Sequence, residues 1–226
     1  MKITQIREKE DAEALSVLDF DLLMEKIKTE TKTRPVTGLR QALHFVLPGE
    51  PCSFAGKLPK IMPAAVFGRV NGVRRMKVYN GIVELTVGPL AGKVEVELVK
   101  KKAADLPQTM FAYMGSSGNS VKIWTLFTRP DGTLPQTQEE AELFQAHAYR
   151  LAVKCYQPQI PFDIQLKEPL LEQYSRLSYD PAPFYRKNAV PFYLSQPFGM
   201  PKEMTYRERT VTEKSPLNRA VPGYAA

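Results

Sequence analysis

Between residues 82 and 166 the hydrophobic pattern switches period in a fixed order, and that order limits the possible folds more than any other feature of the chain. Ile82 to Val87 reads as a strand. Ala91 to Leu106 reads as a helix, with Val96, Val99, Ala103 and Leu106 on one side, although Val94, Val96 and Leu98 also alternate as in a strand. Thr109 to Met114 and Val121 to Phe127 read as two strands joined by a loop of small residues. The next helix is the best defined. Thr137 and Glu140 form a T-x-x-E capping box, and Ala141, Phe144, Ala148, Leu151, Ala152 and Cys155 share a face before Pro158 ends the run. Phe162 to Leu166 reads as a short closing strand.

Strand, helix, strand, strand, helix, strand is the split βαβ order of ferredoxin-like and RNA-recognition-motif-like folds, in which an antiparallel sheet carries both helices on one face. An α+β protein is therefore expected. Ahead of this core, Asp19 to Glu30 places Phe20, Leu23, Met24 and Ile27 at helical spacing, with Asp19 as the capping residue. Leu39 to Leu47 and Ala65 to Val70 read as strands, and Asn71-Gly72 is a hairpin turn that returns the chain through Val73 to Tyr79. From Gln196 onward Pro197, Pro201, Pro216 and Pro222 recur among few large apolar residues. Such a segment buries too little surface to fold alone. The expected organisation is a domain over 1–195, with its core at about 79–195, and a flexible tail or linker over 196–226.

With 43% apolar residues among 226, the chain has the composition of a globular protein. No apolar run approaches the ~18 residues of a membrane span, and Met1 to Gln5 lacks the apolar stretch of a signal peptide, so a soluble, cytoplasmic protein without membrane contact is expected. Cys52 and Cys155 lie far apart, outside any zinc or disulfide spacing. The formal charge is +7, and its distribution matters more than its size. Pro51 to Val83 contains no Asp or Glu but holds Lys57, Lys60, Arg69, Arg74, Arg75 and Lys77. These side chains either track a nucleic-acid backbone or form the solvated faces of hairpin strands.

The loop Gly115-Ser116-Ser117-Gly118-Asn119-Ser120 is short enough on side chains for backbone amides to cup phosphate oxygens, with Lys122 supplying a charge as the next strand begins. The other reading is an ordinary turn at Gly118-Asn119. Trp124, Phe111 and Tyr113 alternate on core strands and either stack bases or, with less special pleading, pack under the helices. His147 reads as a core-edge histidine, and no catalytic triad, Walker loop or Rossmann fingerprint is present.

Lys57-Leu58-Pro59-Lys60-Ile61, the strand from Tyr79 to Leu90, the loop Ser116 to Ile123, His147-Ala148-Tyr149 and Ser175 to Pro181 together resemble the VirE-type N-terminal domain of bacterial mobile-element proteins, which is similar to the archaeo-eukaryotic primase-polymerase superfamily. The resemblance implies acidic metal ligands two residues apart on the first core strand. The matching positions here are Thr86 and Gly88, which cannot serve. Glu84 lies one repeat back, where a solvent-facing strand residue is expected, and Asp163, at the place of the third acid, is expected on the surface. The same resemblance places Arg176 beside Lys122 at a phosphate, unless it pairs with Glu172 or Asp180. It thus implies a primase-like domain with a degenerate metal site and no assigned catalytic or metal-binding residue. Ser116, Ser117, Gly118, Lys122 and Arg176 would hold a nucleoside triphosphate, and DNA and a helicase-like partner would be its company in replication or mobilisation of a mobile element. Two alternatives stand beside it. One is an active primase-polymerase with Mg²⁺ or Mn²⁺ on Glu84 and Asp163, and the other is a protein-interaction scaffold.

Overall fold

In the computed structural model, residues 1–9, 12–46, 52–56 and 58–195 are described. The chain opens with strands absent from the sequence reading, β1 (Lys2–Lys9) and β2 (Ala12–Asp19), followed by α1 (Phe20–Lys28). Then come α2 (Pro35–Leu43), the one-turn α3 (Ser53–Gly56), β3 (Lys60–Met62), and the hairpin of β4 (Ala65–Val70) and β5 (Val73–Tyr79). The central unit is β6 (Ile82–Val87), α4 (Lys93–Asp105), β7 (Thr109–Met114), β8 (Val121–Thr128) and α5 (Gln138–Tyr156). Three two-residue strands close the fold: β9 (Ser175–Arg176), β10 (Phe184–Tyr185) and β11 (Phe192–Tyr193). The protein is α+β, as expected. Its central sheet pairs β6 with β8 and β8 with β7, both antiparallel, while the N-terminal sheet runs β2-β1-β3-β9.

Three expectations need correction. Leu39 to Leu47, read as a strand, is helical through Leu43, and Leu47 lies outside the described residues. Pro35 sets the first helical φ, and the Glu30 carboxylate accepts hydrogen bonds from the Val36 and Thr37 amides at 2.6 and 2.8 Å, satisfying donors that no turn above them can. The apparent alternation was misleading, since Phe45 is 89% exposed. Asp19 ends β2, paired with Lys2, and caps nothing with its side chain. The closing strand shrinks to one antiparallel bridge, Val87 with Ile164, flanked by the Gln165 amide donating to the Thr86 carbonyl at 2.8 Å.

The other elements follow their residues closely. Thr137 accepts from the Glu140 amide at 3.3 Å, but the Glu140 carboxylate leaves the capping box to pair with Arg129 at 3.1 Å. The α4 ambiguity resolves toward helix, leaving Val94 83% exposed while Val96 and Val99 are buried.

The central sheet is covered on both faces, which is why β6 is buried along nearly its whole length. Val83, Leu85 and Val87 pack with Val96 and Val99 of α4 and Phe144 and Ala148 of α5. On the other face Trp124, Phe111 and Tyr113 are fully buried, but not under α4 and α5. They lie against Ile3, Leu18 and Ile61 of the N-terminal sheet and Phe20, Leu23 and Ile27 of α1. Phe20 meets Phe111 edge-on at 5.4 Å, so these rings are core and present no face to a base. Residues 196–226, expected to be a tail, lie outside the described residues, and no helix among those described is long and apolar enough to cross a membrane.

Candidate phosphate-binding cleft

The face of the sheet covered by the N-terminal layer ends in a cleft of about 290 Å³ beside the Ser116–Ser120 loop. Strand register places its floor. In β6 and β8 Glu84 opposes Trp124 and Thr86 opposes Lys122, so Glu84 and then one polar pair continue the row that the aromatic residues begin. The Lys122 ammonium donates to Thr86 Oγ1 at 2.9 Å and lies 3.3 Å from Glu84 Oε1. A second ammonium, that of Lys167, donates to the same Thr86 oxygen at 3.0 Å.

Lys167 is delivered by the segment that replaced the closing strand. Gln165 is tied to β6 through its amide and through its side chain, which donates to the Gly88 carbonyl at 3.1 Å, and the Lys167 amide donates to the Tyr149 hydroxyl of α5 at 2.9 Å. Gly88 itself has φ +140°, and a Cβ there would stand 2.8 Å from the Asn119 carbonyl, so the loop closes down on this position only because it is glycine. Register in the N-terminal sheet sets the opposite wall. Pairing of β3 with β9 puts Lys60 across from Arg176 and Ile61 across from Ser175, which turns the Ser175 hydroxyl toward Glu84 and leaves Arg176 on the rim.

Glu84 was expected to face solvent. Instead its side chain is only 7% exposed, accepting hydrogen bonds from Trp124 Nε1 at 2.8 Å and from Ser175 Oγ beside the Lys122 contact. Burial pushes its carboxyl upward, but Lys122 together with the Ser175 and Trp124 hydrogen bonds and Lys167 outweighs burial and holds it below the ordinary carboxylate range. Lys167 goes the other way. Burial first, and then the neighbouring charge of Lys122, bring it down to about 8, with Glu84 opposing.

The structure therefore brings Ser116, Ser117, Lys122 and Arg176 to one cleft. Gly118 does not line it; at φ +84° it backs against Arg40, where a Cβ would lie 3.2 Å from the Arg40 Cδ. Arg176 pairs with neither acid offered to it, because Glu172 binds Arg74 and Asp180 binds Lys100; its Nε donates to the Ala55 carbonyl at 2.9 Å. Asp163 is exposed, as expected. Among the described residues no group of His, Cys, Asp and Glu is arranged to hold a metal ion.

Four participants escaped the sequence reading. Thr86 was treated as a lost acid and serves as a shared acceptor. Lys167 and Tyr174 lie in an irregular segment with no periodic signal. Arg40, on the misread α2, donates to the carbonyls of Gly115, Ser116 and Tyr179 at 3.1, 3.3 and 2.7 Å and so fastens the loop to the Ser175–Asp180 segment. Pro35 at a helix start, with Val36 and Leu39 at helical spacing, was the signal that would have found it.

The acid-free stretch is divided. Lys60 pairs with Glu8 at 2.7 Å, Arg74 with Glu13 and Glu172 at 2.7 and 2.6 Å, and Arg69 donates to the carbonyls of Glu13 and Gly72 at 2.9 and 3.3 Å. Arg75 and Lys77 are exposed on β5, and Lys57 lies outside the described residues.

A protein-family model for the BT4734-like N-terminal domain matches residues 53–185, the span that contains the whole cleft. No curated protein and no solved structure matches the chain. The family match overturns the VirE-type, primase-polymerase assignment. Two of the motifs that carried that resemblance are accounted for locally. The serine loop is a turn fastened by Arg40, and the Ser175–Asp180 stretch is its anchor, with Ser178 donating to the Met114 carbonyl at 2.6 Å. On the match over 53–185, the chain belongs to the BT4734-like N-terminal domain family.

Proposed function

We propose that this domain is a binding module that takes the phosphate of a nucleotide or nucleic acid in the cleft between the Ser116–Ser120 loop and the Lys167–Arg176 segment. One observation carries the reading: the ammonium groups of Lys122 and Lys167 converge on one neutral oxygen, that of Thr86, in a cleft rimmed by Arg176. Like charges held this close repel, and a phosphate between them and Arg176 relieves that repulsion while receiving several charge-assisted hydrogen bonds. The Ser116 hydroxyl adds a neutral donor on one side, whereas the Ser117 hydroxyl is given to Asn119 within the loop. On the same reading, the unit from β6 to α5 is a split βαβ of the RNA-recognition-motif-like kind. Support comes from the sheet order, with Ile164 beside β6, β6 beside β8 and β8 beside β7. Its usual base-stacking face is occupied by the N-terminal layer, so binding shifts to the end of the sheet, where the lysines are.

The exposed Arg75 and Lys77 extend the reading to a nucleic-acid backbone, to which they add salt-sensitive affinity. The role in replication or mobilisation loses the resemblance on which it rested. The test is thermal stabilisation of the full chain by ATP and by single-stranded DNA at millimolar and micromolar concentrations respectively. Lys122→Ala with Lys167→Ala should abolish the shift. A wild-type chain that neither ligand stabilises would sink the proposal.

A further inference from the structure

The charges of the cleft do not balance, and the imbalance distinguishes one kind of phosphate from another; the argument rests on the phosphate-binding reading above. Lys122 lies at ion-pair distance from Glu84, whose single negative charge also acts on Lys167 from farther away. Among the described residues neither Lys167 nor Arg176 has a carboxylate within ion-pair distance; Lys167 donates to the Thr86 hydroxyl and Arg176 to the Ala55 carbonyl. Lys167 and Arg176 therefore border the cleft with no salt-bridged carboxylate, Glu84 and Glu8 acting on them only from beyond that distance. A phosphomonoester carries close to two negative charges at neutral pH, because its second pKa is about 6, whereas a phosphodiester carries one. At the rim Tyr174, 46% exposed, has the Lys60 ammonium 4.9 Å from its ring centroid and offers an aromatic surface next to the phosphate position.

We propose that the cleft selects the dianionic 5′-phosphomonoester of a nucleotide, holding the phosphate between Lys122, Lys167 and Arg176 with the base against Tyr174. A diester leaves one partly buried cation uncompensated, so it binds at least about tenfold more weakly. Proton linkage gives a second signature. Lys167 faces Glu84 and Thr86 from β6, Lys122 from β8 and Arg176 from β9, and α5 touches its backbone through Tyr149. In the unliganded cleft it sits at about 8, so near that pH a part of the molecules lacks the proton; an arriving dianion restores it. Binding therefore takes up protons around pH 8, and affinity falls as the pH rises above that.

The experiment is calorimetric titration of the full chain with adenosine 5′-monophosphate, its methyl ester, adenosine, inorganic phosphate, and an oligothymidylate with and without a 5′-phosphate. Runs at pH 7, 8 and 9, in buffers of different ionisation heat, count the protons. The monophosphate should bind at least about tenfold tighter than the methyl ester, with proton uptake greatest near pH 8. Tyr174→Ala should lower its affinity about tenfold and leave inorganic phosphate unaffected. Lys167→Arg, which keeps the charge at every pH, should lose the proton uptake whatever its effect on affinity. Preference of the oligonucleotide for a 5′-phosphate would name a strand end as a source of the same group, and binding of the mononucleotide alone would name the free nucleotide. A methyl ester binding within threefold of the monophosphate overturns the selection for a monoester while leaving the phosphate site standing. No binding by any phosphate overturns both.

Discussion

Lys122 and Lys167 reach Thr86 from opposite sides, one from a central strand and one from an irregular segment, and donate to its single hydroxyl oxygen at 2.9 and 3.0 Å. A neutral oxygen shared by two cations is the position at which an acid would change the site most. Thr86→Asp should pair with both ammonium groups, leave the unliganded melting temperature unchanged or higher, and remove nucleotide-induced stabilisation. Thermal melts with and without ATP measure both; a variant that melts like wild type and still shifts with ATP would contradict the role given to the two lysines.

The depressed Lys167 sets a pH dependence of stability. The folded group titrates at about 8 and the unfolded one near its ordinary 10.5, so between these values the unfolded chain binds the extra proton. Stability therefore rises with pH across that window, and the penalty for holding the charged lysine in the fold is present in full below it. Urea titrations from pH 7 to 10.5 should show this gain in the wild type and lose it in Lys167→Met, whose curve should start higher at pH 7. Parallel curves for the two proteins would contradict the shift.

The pattern of residues disclosed the central unit because its elements are amphipathic and contiguous. It found α1 but missed the two strands before it, because Ile3 of β1 faces one core and Ile6 the other, so that strand shows no simple alternation. At the site, Lys122 and the serine loop were legible from the strand-loop-strand order. Lys167 and the true surroundings of Glu84 were not, since each depends on packing between segments distant in sequence rather than on local period; the helix that carries Arg40 had a local signal at Pro35, but the segments that its guanidinium joins did not. The short alternation at Leu43, Phe45 and Leu47 imitated a strand, and the Glu30 carboxylate that caps α2 lies outside any window used to recognise a helix start.

Arg40 should prove the fastening of the loop. Its guanidinium spans Gly115, Ser116 and Tyr179, so Arg40→Ala leaves several carbonyls short of a donor at once and should cost about 2–3 kcal/mol in urea denaturation. Amide exchange at residues 115–120 should quicken more than at β6. Arg40→Lys, which cannot fork between the two segments, should recover only part of the loss.

Asp180 holds the far end of the same segment. With side-chain exposures of 4% and 1%, Lys100 and Asp180 form a buried pair, and the carboxylate also accepts the Met114 and Ala182 amides at 2.8 and 3.0 Å. Asp180→Asn leaves the Lys100 charge with only exposed Glu97 opposite it and should destabilise the fold by about 3–5 kcal/mol. A loss under 1 kcal/mol would mean that Glu97 suffices.

Charge reversal should separate the two kinds of basic residue on β5. Arg75→Glu with Lys77→Glu should weaken DNA binding and flatten its dependence on salt without lowering the melting temperature. Arg74→Glu, which sets three acids together with Glu13 and Glu172, should lower the melting temperature instead. Filter binding over a salt series and thermal melts of the same preparations distinguish the effects, and equal loss of DNA affinity in both would argue against the division.

The family match begins at residue 53, yet the rings of Trp124, Phe111 and Tyr113 are roofed by residues that come before it. The stretch by which relatives are recognised is thus shorter than the stretch that keeps this sheet dry. Shortening the chain to the matched span does not trim an appendage; it removes one wall and bares an oily floor of aromatic and aliphatic side chains. Such a fragment would cling to itself and to other greasy surfaces, and any companion it captured would report the bared floor rather than the biology of the intact domain.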